Sequence, residues 1–226
     1  MSESIKLYGY WRSSASYRVR ICLNLKKLSY ISLPVNLLEK EHKAREFHQQ
    51  NPSELLPVLV DGEVCLNQSL AIIQYLDEQY LNTPLIPQSV FLRYRALALA
   101  QDIAIEMHPL NNLRVLQYLE GSLNCDANQK VNWIHHWMHQ GFSAVEEKLC
   151  RPKGLHEQNL RPIYSLGDEP CIVDACLVPQ VYNAVRFGIE MSDYPTINAI
   201  VEACNQHHAF IDAMPENQSD AKLVTK

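Results

Sequence analysis

Apolar residues recur along this chain at two different periods, and the change between them falls at LNTPLIPQ, residues 81–88, a stretch with two prolines and no period of its own. Upstream, Ile5 and Leu7 alternate with Lys6 and Tyr8 as a short strand, and SYISLPVNL reads as a second. Between them Val19, Ile21, Cys22, Leu23 and Leu25 combine helical and short-run spacing, which predicts an amphipathic helix. A β-α-β order of this kind closes a right-handed crossover between parallel strands. PVLVDGEVCLN then places two apolar runs around Asp61 and Gly62, a hairpin signal because both residues tolerate positive φ. NQSLAIIQYLDEQY follows with helical spacing at Leu70, Ile73 and Leu76.

Downstream, apolar residues return every three or four positions in 91–119, 129–149 and 172–187, so that part is predicted to be mainly helical. Pro109, which has no N–H to give, should break or kink the first of those segments. The pattern divides the chain into an α/β domain at 1–82, a linker at 83–89 and an all-α domain at 90–226. Within the last, CRPKGLHEQNLRPIYSLGDEP reads as a polar connection. No internal repeat or low-complexity tract interrupts the scheme.

At 226 residues and 47% apolar there is ample material for a core. A net charge of −5 leaves no basic field and argues against a nucleic-acid partner. No stretch approaches the roughly 18 apolar residues of a membrane span, and MSESIKLYGYW lacks the basic flank and apolar run of a secretory leader. Seven scattered cysteines, odd in number and without a C-x-x-C pair, fit reduced thiols in a cytoplasm and no structural disulfide.

The opening of the first helix carries an excess of serines, Ser13, Ser14 and Ser16, in RSSASYRVRICL. A single serine suffices to cap a helix, and the local pattern by itself favours a cap. The sharper reading is that hydroxyls and the positive end of the helix stabilise an anion, whether thiolate, carboxylate or phosphate. Asn67, Gln68 and Ser69 form a second polar helix entrance, where Asn67 or Ser69 can serve as the cap. Two such entrances in one small domain can supply two anion sites, as a tripeptide thiol requires. Pro57, at a strand entrance, is either an edge feature or a cis proline that exposes the preceding backbone to a ligand.

The succession SSASYRVRICL, NPSELLPVL, NQSLAIIQYL, HPLNNLRVL, GDEPCIVDACLVPQVYNAVRF and YPTI resembles the zeta-class glutathione transferases, the family that contains the maleylacetoacetate isomerases. The resemblance runs from about residue 5 to residue 197. It implies a thioredoxin-like N-terminal domain, an all-helical C-terminal domain, a homodimer, and bound glutathione as the one cofactor, with no metal. Ser13 is then the hydroxyl that stabilises the glutathione thiolate, with Ser14, Ala15, Ser16, Tyr17 and Arg18 in the same glutathione-contacting stretch. Leu56 pairs its backbone with the cysteinyl part, Gln68 and Ser69 hold the γ-glutamyl carboxylate, and His42 lies near the glycyl end. His108, Asn112 and Arg114 fall on the family's helical-domain contacts and are carried over as glutathione-binding residues. Arg186 matches an arginine that clamps the substrate's carboxylate, so Ser13, Ser14 and Arg186 are the catalytic candidates. The implied reaction is glutathione-dependent isomerisation of maleylacetoacetate to fumarylacetoacetate in tyrosine and phenylalanine breakdown. The alternatives are a transferase acting on small haloacids, a maleylpyruvate isomerase, and a non-catalytic interaction module of the same fold.

Three departures stand out. Ala15 occupies the place of the family's cysteine, Tyr17 that of a tryptophan, and Cys171 that of a hydroxyl residue heading the helix of Asp174. The thiol is a weak acceptor, so this last change should weaken a capping box by up to about 1 kcal/mol. His135, His136 and His139 lack the glutamate and third-ligand pattern of a metal site and read as a solvated or interface face. Cys171 and Cys176 read as core or cap residues, Asp174 as a structural carboxylate, and residues 215–226 as a fraying tail.

Overall fold

The structure, a computed structural model, describes residues 4–150 and 162–221. The polar connection predicted from residue 150 to residue 170 falls largely on 151–161, outside the described residues, as do the last five residues of the tail. In chain order the first elements are β1 (Ile5–Gly9), α1 (Ser14–Leu25), β2 (Tyr30–Pro34), α2 (Arg45–Gln50), β3 (Val58–Asp61), β4 (Val64–Asn67) and α3 (Ser69–Gln79). The helices α4 (Val90–Gln101), α5 (Leu113–Gly121), α6 (Ala127–Cys150), α7 (Ile172–Arg186), α8 (Pro195–Asn205) and α9 (His208–Ala213) follow. None among the described residues is long and apolar enough to cross a membrane.

Two compact units result, Met1–Ile86 with Asn205–Lys226, and Pro87–Cys204. The first contains a four-stranded mixed sheet in the order β2-β1-β3-β4, with β1 parallel to β2 and the other pairs antiparallel. Because strand side chains alternate between faces, Ile5, Leu7 and Leu59 meet Val19, Leu23, Ile72 and Leu76 of α1 and α3 on one side. Tyr8, Val58 and Val60 face Phe47 of α2 on the other. Asp61 stands opposite Val64, so the hairpin turns through Gly62, at φ 57°, and Glu63.

Residues 205–221 depart from the sequence pattern, which offered them as part of the helical domain and their end as a fraying tail. They group with the first unit because α1 carries a buried arginine that needs partners. Arg20, 3% exposed, donates through Nε to the Ala213 carbonyl at 3.1 Å and through Nη2 to the Trp11 carbonyl at 2.9 Å. Asn24 adds a bond to the Ala209 carbonyl, and the Asp220 carboxylate accepts from the Trp11 N–H at 3.0 Å. The start of the proline stretch is pinned to the same unit. Lys26, fully buried, donates to the carbonyls of Tyr80 and Thr83 at 2.6 Å each. Burial lowers its pKa, and Asp77 at 3.6 Å opposes that shift.

In the second unit the break expected at Pro109 begins earlier. After Gln101, α4 widens into a π-helical turn at Asp102–Met107 and then tightens into a 3-10 turn at His108–Asn111. Gly141 of α6 permits the close approach of this turn, since a Cβ there would lie 2.5 Å from the Met107 Cε. The predicted histidine face is largely engaged. His135 Nε2 donates to the Phe187 carbonyl at 2.8 Å, and His139 Nδ1 lies 2.8 Å from the Tyr194 hydroxyl.

The entrance to α7 retains its reciprocal capping box despite Cys171. Asp174 carries most of it, accepting from the Cys171 N–H at 2.7 Å and from the Ser165 N–H and hydroxyl at 2.9 and 2.7 Å. Burial pushes its carboxyl pKa up against the pull of these bonds. Asp174→Ala should therefore lower the unfolding free energy by about 2–4 kcal/mol, whereas Cys171→Ser, with its better acceptor, should raise it by up to about 1 kcal/mol. Urea titrations of the two variants check both signs.

Candidate active site

The polar groups singled out in the first unit gather at the entrances of α1 and α3. Ser13 is the N-cap of α1, and its hydroxyl accepts from the Ser16 N–H at 3.2 Å. The cap reading is thus correct, yet it does not exhaust the hydroxyl. Capping occupies a lone pair and leaves the O–H proton to be donated. Ser14 opens the helix at 8% exposure, and Ser16, fully buried, stands against Gly9 of β1. Tyr17 and Arg18 are each 2% exposed, and Arg20 lies over the Tyr17 ring with its Cζ 5.3 Å from the centroid.

Arg18 joins the two entrances. Its Nη1 donates to Ser69 Oγ at 3.2 Å, so the Ser69 hydroxyl, like that of Ser13, accepts from a protein N–H and keeps a proton to give. Neither Asn67 nor Ser69 caps α3. Gln68 stands at the cap with φ 68° and ψ 109° and makes no side-chain cap bond. Positive φ is costly for a residue with a Cβ, so the backbone here is held in a strained form at the mouth of a helix. Asn67 instead donates to Asn51 Oδ1 at 2.8 Å.

Asn51 escaped the sequence reading and proves to be a hub. It is 1% exposed, accepts from the N–H of Ser53 at 3.1 Å, and donates to the Leu55 carbonyl at 2.8 Å. It thereby fixes the segment leading to Leu56, whose bond to Pro57 is cis, together with the residue preceding Gln68. NPSELLPVL signals a turn, but a contact sixteen residues away leaves no local pattern. His42 lies in the 3-10 turn Glu41–Lys43. Burial, with Lys43 beside it, lowers its pKa against the pull of Glu54, so at neutral pH it offers hydrogen bonds rather than charge.

In the second unit, His108 opens the 3-10 turn, and Asn112 caps α5 by accepting from the Arg114 N–H at 3.3 Å. Arg114 is exposed. Arg186, also exposed, ends α7 with its Nη2 donating to Asn183 Oδ1 at 2.9 Å and its Cζ 4.8 Å from the Phe187 ring centroid.

Residues 3–78 match the family model for the glutathione S-transferase N-terminal domain. A probable maleylacetoacetate isomerase of Vibrio cholerae is 52% identical over 220 residues, covering 96% of this chain and 99% of the relative. The chain belongs to the zeta class of glutathione transferases. A solved bacterial maleylpyruvate isomerase, itself described as zeta class, superposes with a TM-score of 0.91 at 40% identity, covering 96% of this chain and all of that one. A maleylacetoacetate isomerase of Methylobacterium extorquens, solved with bound malonate and GSH, does so with a TM-score of 0.89 at 32% identity, over 96% and 99% of the two chains. For this zeta-class enzyme the strain at Gln68 makes a specific prediction. Gln68→Gly should raise stability by about 1 kcal/mol while weakening glutathione binding, read by thermal melts with and without glutathione.

Proposed function

We propose that this zeta-class chain isomerises maleylacetoacetate to fumarylacetoacetate with glutathione as cofactor, a step of tyrosine and phenylalanine breakdown. One observation carries the reading. The hydroxyls of Ser13 and Ser69, at two helix entrances, both accept from protein N–H groups and so have protons to donate to anions. That is the donor set a tripeptide thiol needs, one entrance for its thiolate and one for its γ-glutamyl carboxylate.

Ser13, with Ser14 beside it, serves the thiolate, and the positive end of α1 adds to the hydrogen bond in lowering the thiol pKa. Ser69 and Gln68 take the γ-glutamyl carboxylate, Leu56 offers its backbone to the cysteinyl part, and His42 a hydrogen bond to the glycyl end. Ala15, Ser16, Tyr17 and Arg18 shape and brace that pocket. Bound glutathione supplies a nucleophilic thiol whose reversible addition to the cis double bond permits rotation. In the second unit Arg186 holds the substrate's carboxylate through its planar fork. The malonate and GSH bound to the Methylobacterium relative support a small dicarboxylate as the substrate class. We place the protein in the cytoplasm as a homodimer, a state supported by the exposed Val90, Phe91 and Tyr94 of α4.

Purified protein should turn over maleylacetoacetate only when glutathione is present. Turnover of maleylpyruvate at a higher kcat/KM would move the assignment to that substrate. Binding of glutathione without turnover of either would leave a transferase of haloacids, and failure to bind it would leave the interaction module. Ser13→Ala should cut kcat about 10- to 100-fold, the worth of a hydrogen bond to a charged group, with a smaller effect on glutathione affinity. An unchanged kcat would remove Ser13 from the thiolate.

A further inference from the structure

Behind the exposed Arg186 runs a line of buried amides. Asn183 and Asn111 are 7% and 5% exposed. Arg186 Nη2 donates to Asn183 Oδ1 at 2.9 Å, Asn183 Nδ2 donates to Asn111 Oδ1 at 2.9 Å, and Asn111 Nδ2 donates to the Met107 carbonyl at 3.0 Å. The line has one workable polarity. A guanidinium only donates, so the Asn183 oxygen must face it, and a carbonyl only accepts, so the Asn111 nitrogen must face Met107. Turning either amide over would oppose two donors or two acceptors inside the protein, where unmet groups are costly. The anchor is stiff as well, since Met107 lies where the π-helical turn gives way to the 3-10 turn and packs against Gly141.

We propose that Asn183 and Asn111 are positioning residues that hold the Arg186 guanidinium in place before an acidic substrate arrives, an inference that rests on Arg186 being the carboxylate clamp. An exposed arginine surrenders rotamer freedom when it binds, and a partner that has already fixed it lowers that cost. The chemistry of the partner matters too. A carboxylate at position 183 would hold the guanidinium more tightly but would cancel the charge that the substrate's carboxylate requires. A neutral amide orients without neutralising.

Steady-state kinetics on maleylacetoacetate, with calorimetric titration of glutathione, test this on Asn183→Leu, Asn111→Leu, Arg186→Ala and the double variant N183L/R186A. Both leucine variants should raise KM about three- to tenfold, with any fall in kcat smaller and glutathione affinity retained. In the R186A background N183L should add nothing. A wild-type KM in N183L and N111L beside a raised KM in R186A would overturn the positioning role and leave Arg186 as the clamp. A wild-type KM in R186A would overturn both. Should the leucine variants fail to fold, Asn183→Ala and Asn111→Ala decide, because they remove the amides without adding bulk: a raised KM with glutathione affinity retained is expected, and a wild-type KM in both would overturn the proposal.

Discussion

The Arg20 guanidinium, buried in α1, has to give its N–H groups to something, and the partners it finds are the carbonyls of Tyr10, Trp11 and Ala213. Three pieces of chain that share no sequence pattern are drawn together by that requirement: the end of the first strand, the loop that delivers Ser13, and the last helix. Isolated buried charge costs several kcal/mol, so a partly satisfied arrangement is not a stable alternative. The same requirement recurs at Lys26, which fastens the chain after α3, and at Asp174, which fixes the start of α7. Tethers of this kind, more than apolar packing alone, decide where the irregular segments go, and the irregular segments carry the candidate chemistry.

The two helix entrances of the first unit show how such tethering prepares a site. Arg18 spans from α1 to Ser69, and Asn51 links the Leu55 carbonyl to Asn67. Between these fixed points Gln68 is kept in a backbone conformation it would not choose unaided. Hydroxyls whose lone pairs are already engaged have less freedom to reorient, and an anion arriving there meets donors that need little rearrangement. Ala15, where the resemblance expects a cysteine, does not disturb this donor arrangement, because neither the Ser16 N–H nor the Arg18 guanidinium depends on that side chain.

Much of the fold was legible because it follows local periods. Ile5 and Leu7 alternate, Asp61 and Gly62 mark the hairpin, and the helices beyond the prolines announce themselves through apolar spacing of three and four. The Ser13 cap was legible for the same reason, whereas the cap expected at Asn67 or Ser69 was not, because Gln68 takes that place with a positive φ. What remained hidden was non-local. No pattern around Asn51 points to Asn67, none around Asn111 points to Asn183, and none around His135 points to the Phe187 carbonyl. The π-helical turn before Pro109 was hidden differently, because one extra residue per turn scarcely alters an apolar period over six positions. The return of residues 205–221 to the first unit depended on Arg20 and Asp220, charges that a surface would accept equally well.

That return has a bearing on the order in which the protein is made. Trp11 is synthesised early and Asp220 late, yet the bond between them, with those of Arg20 to the helix at 208–213, holds the loop that carries Ser13. While the ribosome is still adding the helical unit, the sheet and the helices packed on it can pair, but this loop lacks its final restraints. The helix entrance at Ser13 in a nascent chain therefore lacks these restraints until residue 220 has cleared the exit tunnel, which separates pairing of the sheet from completion of that entrance.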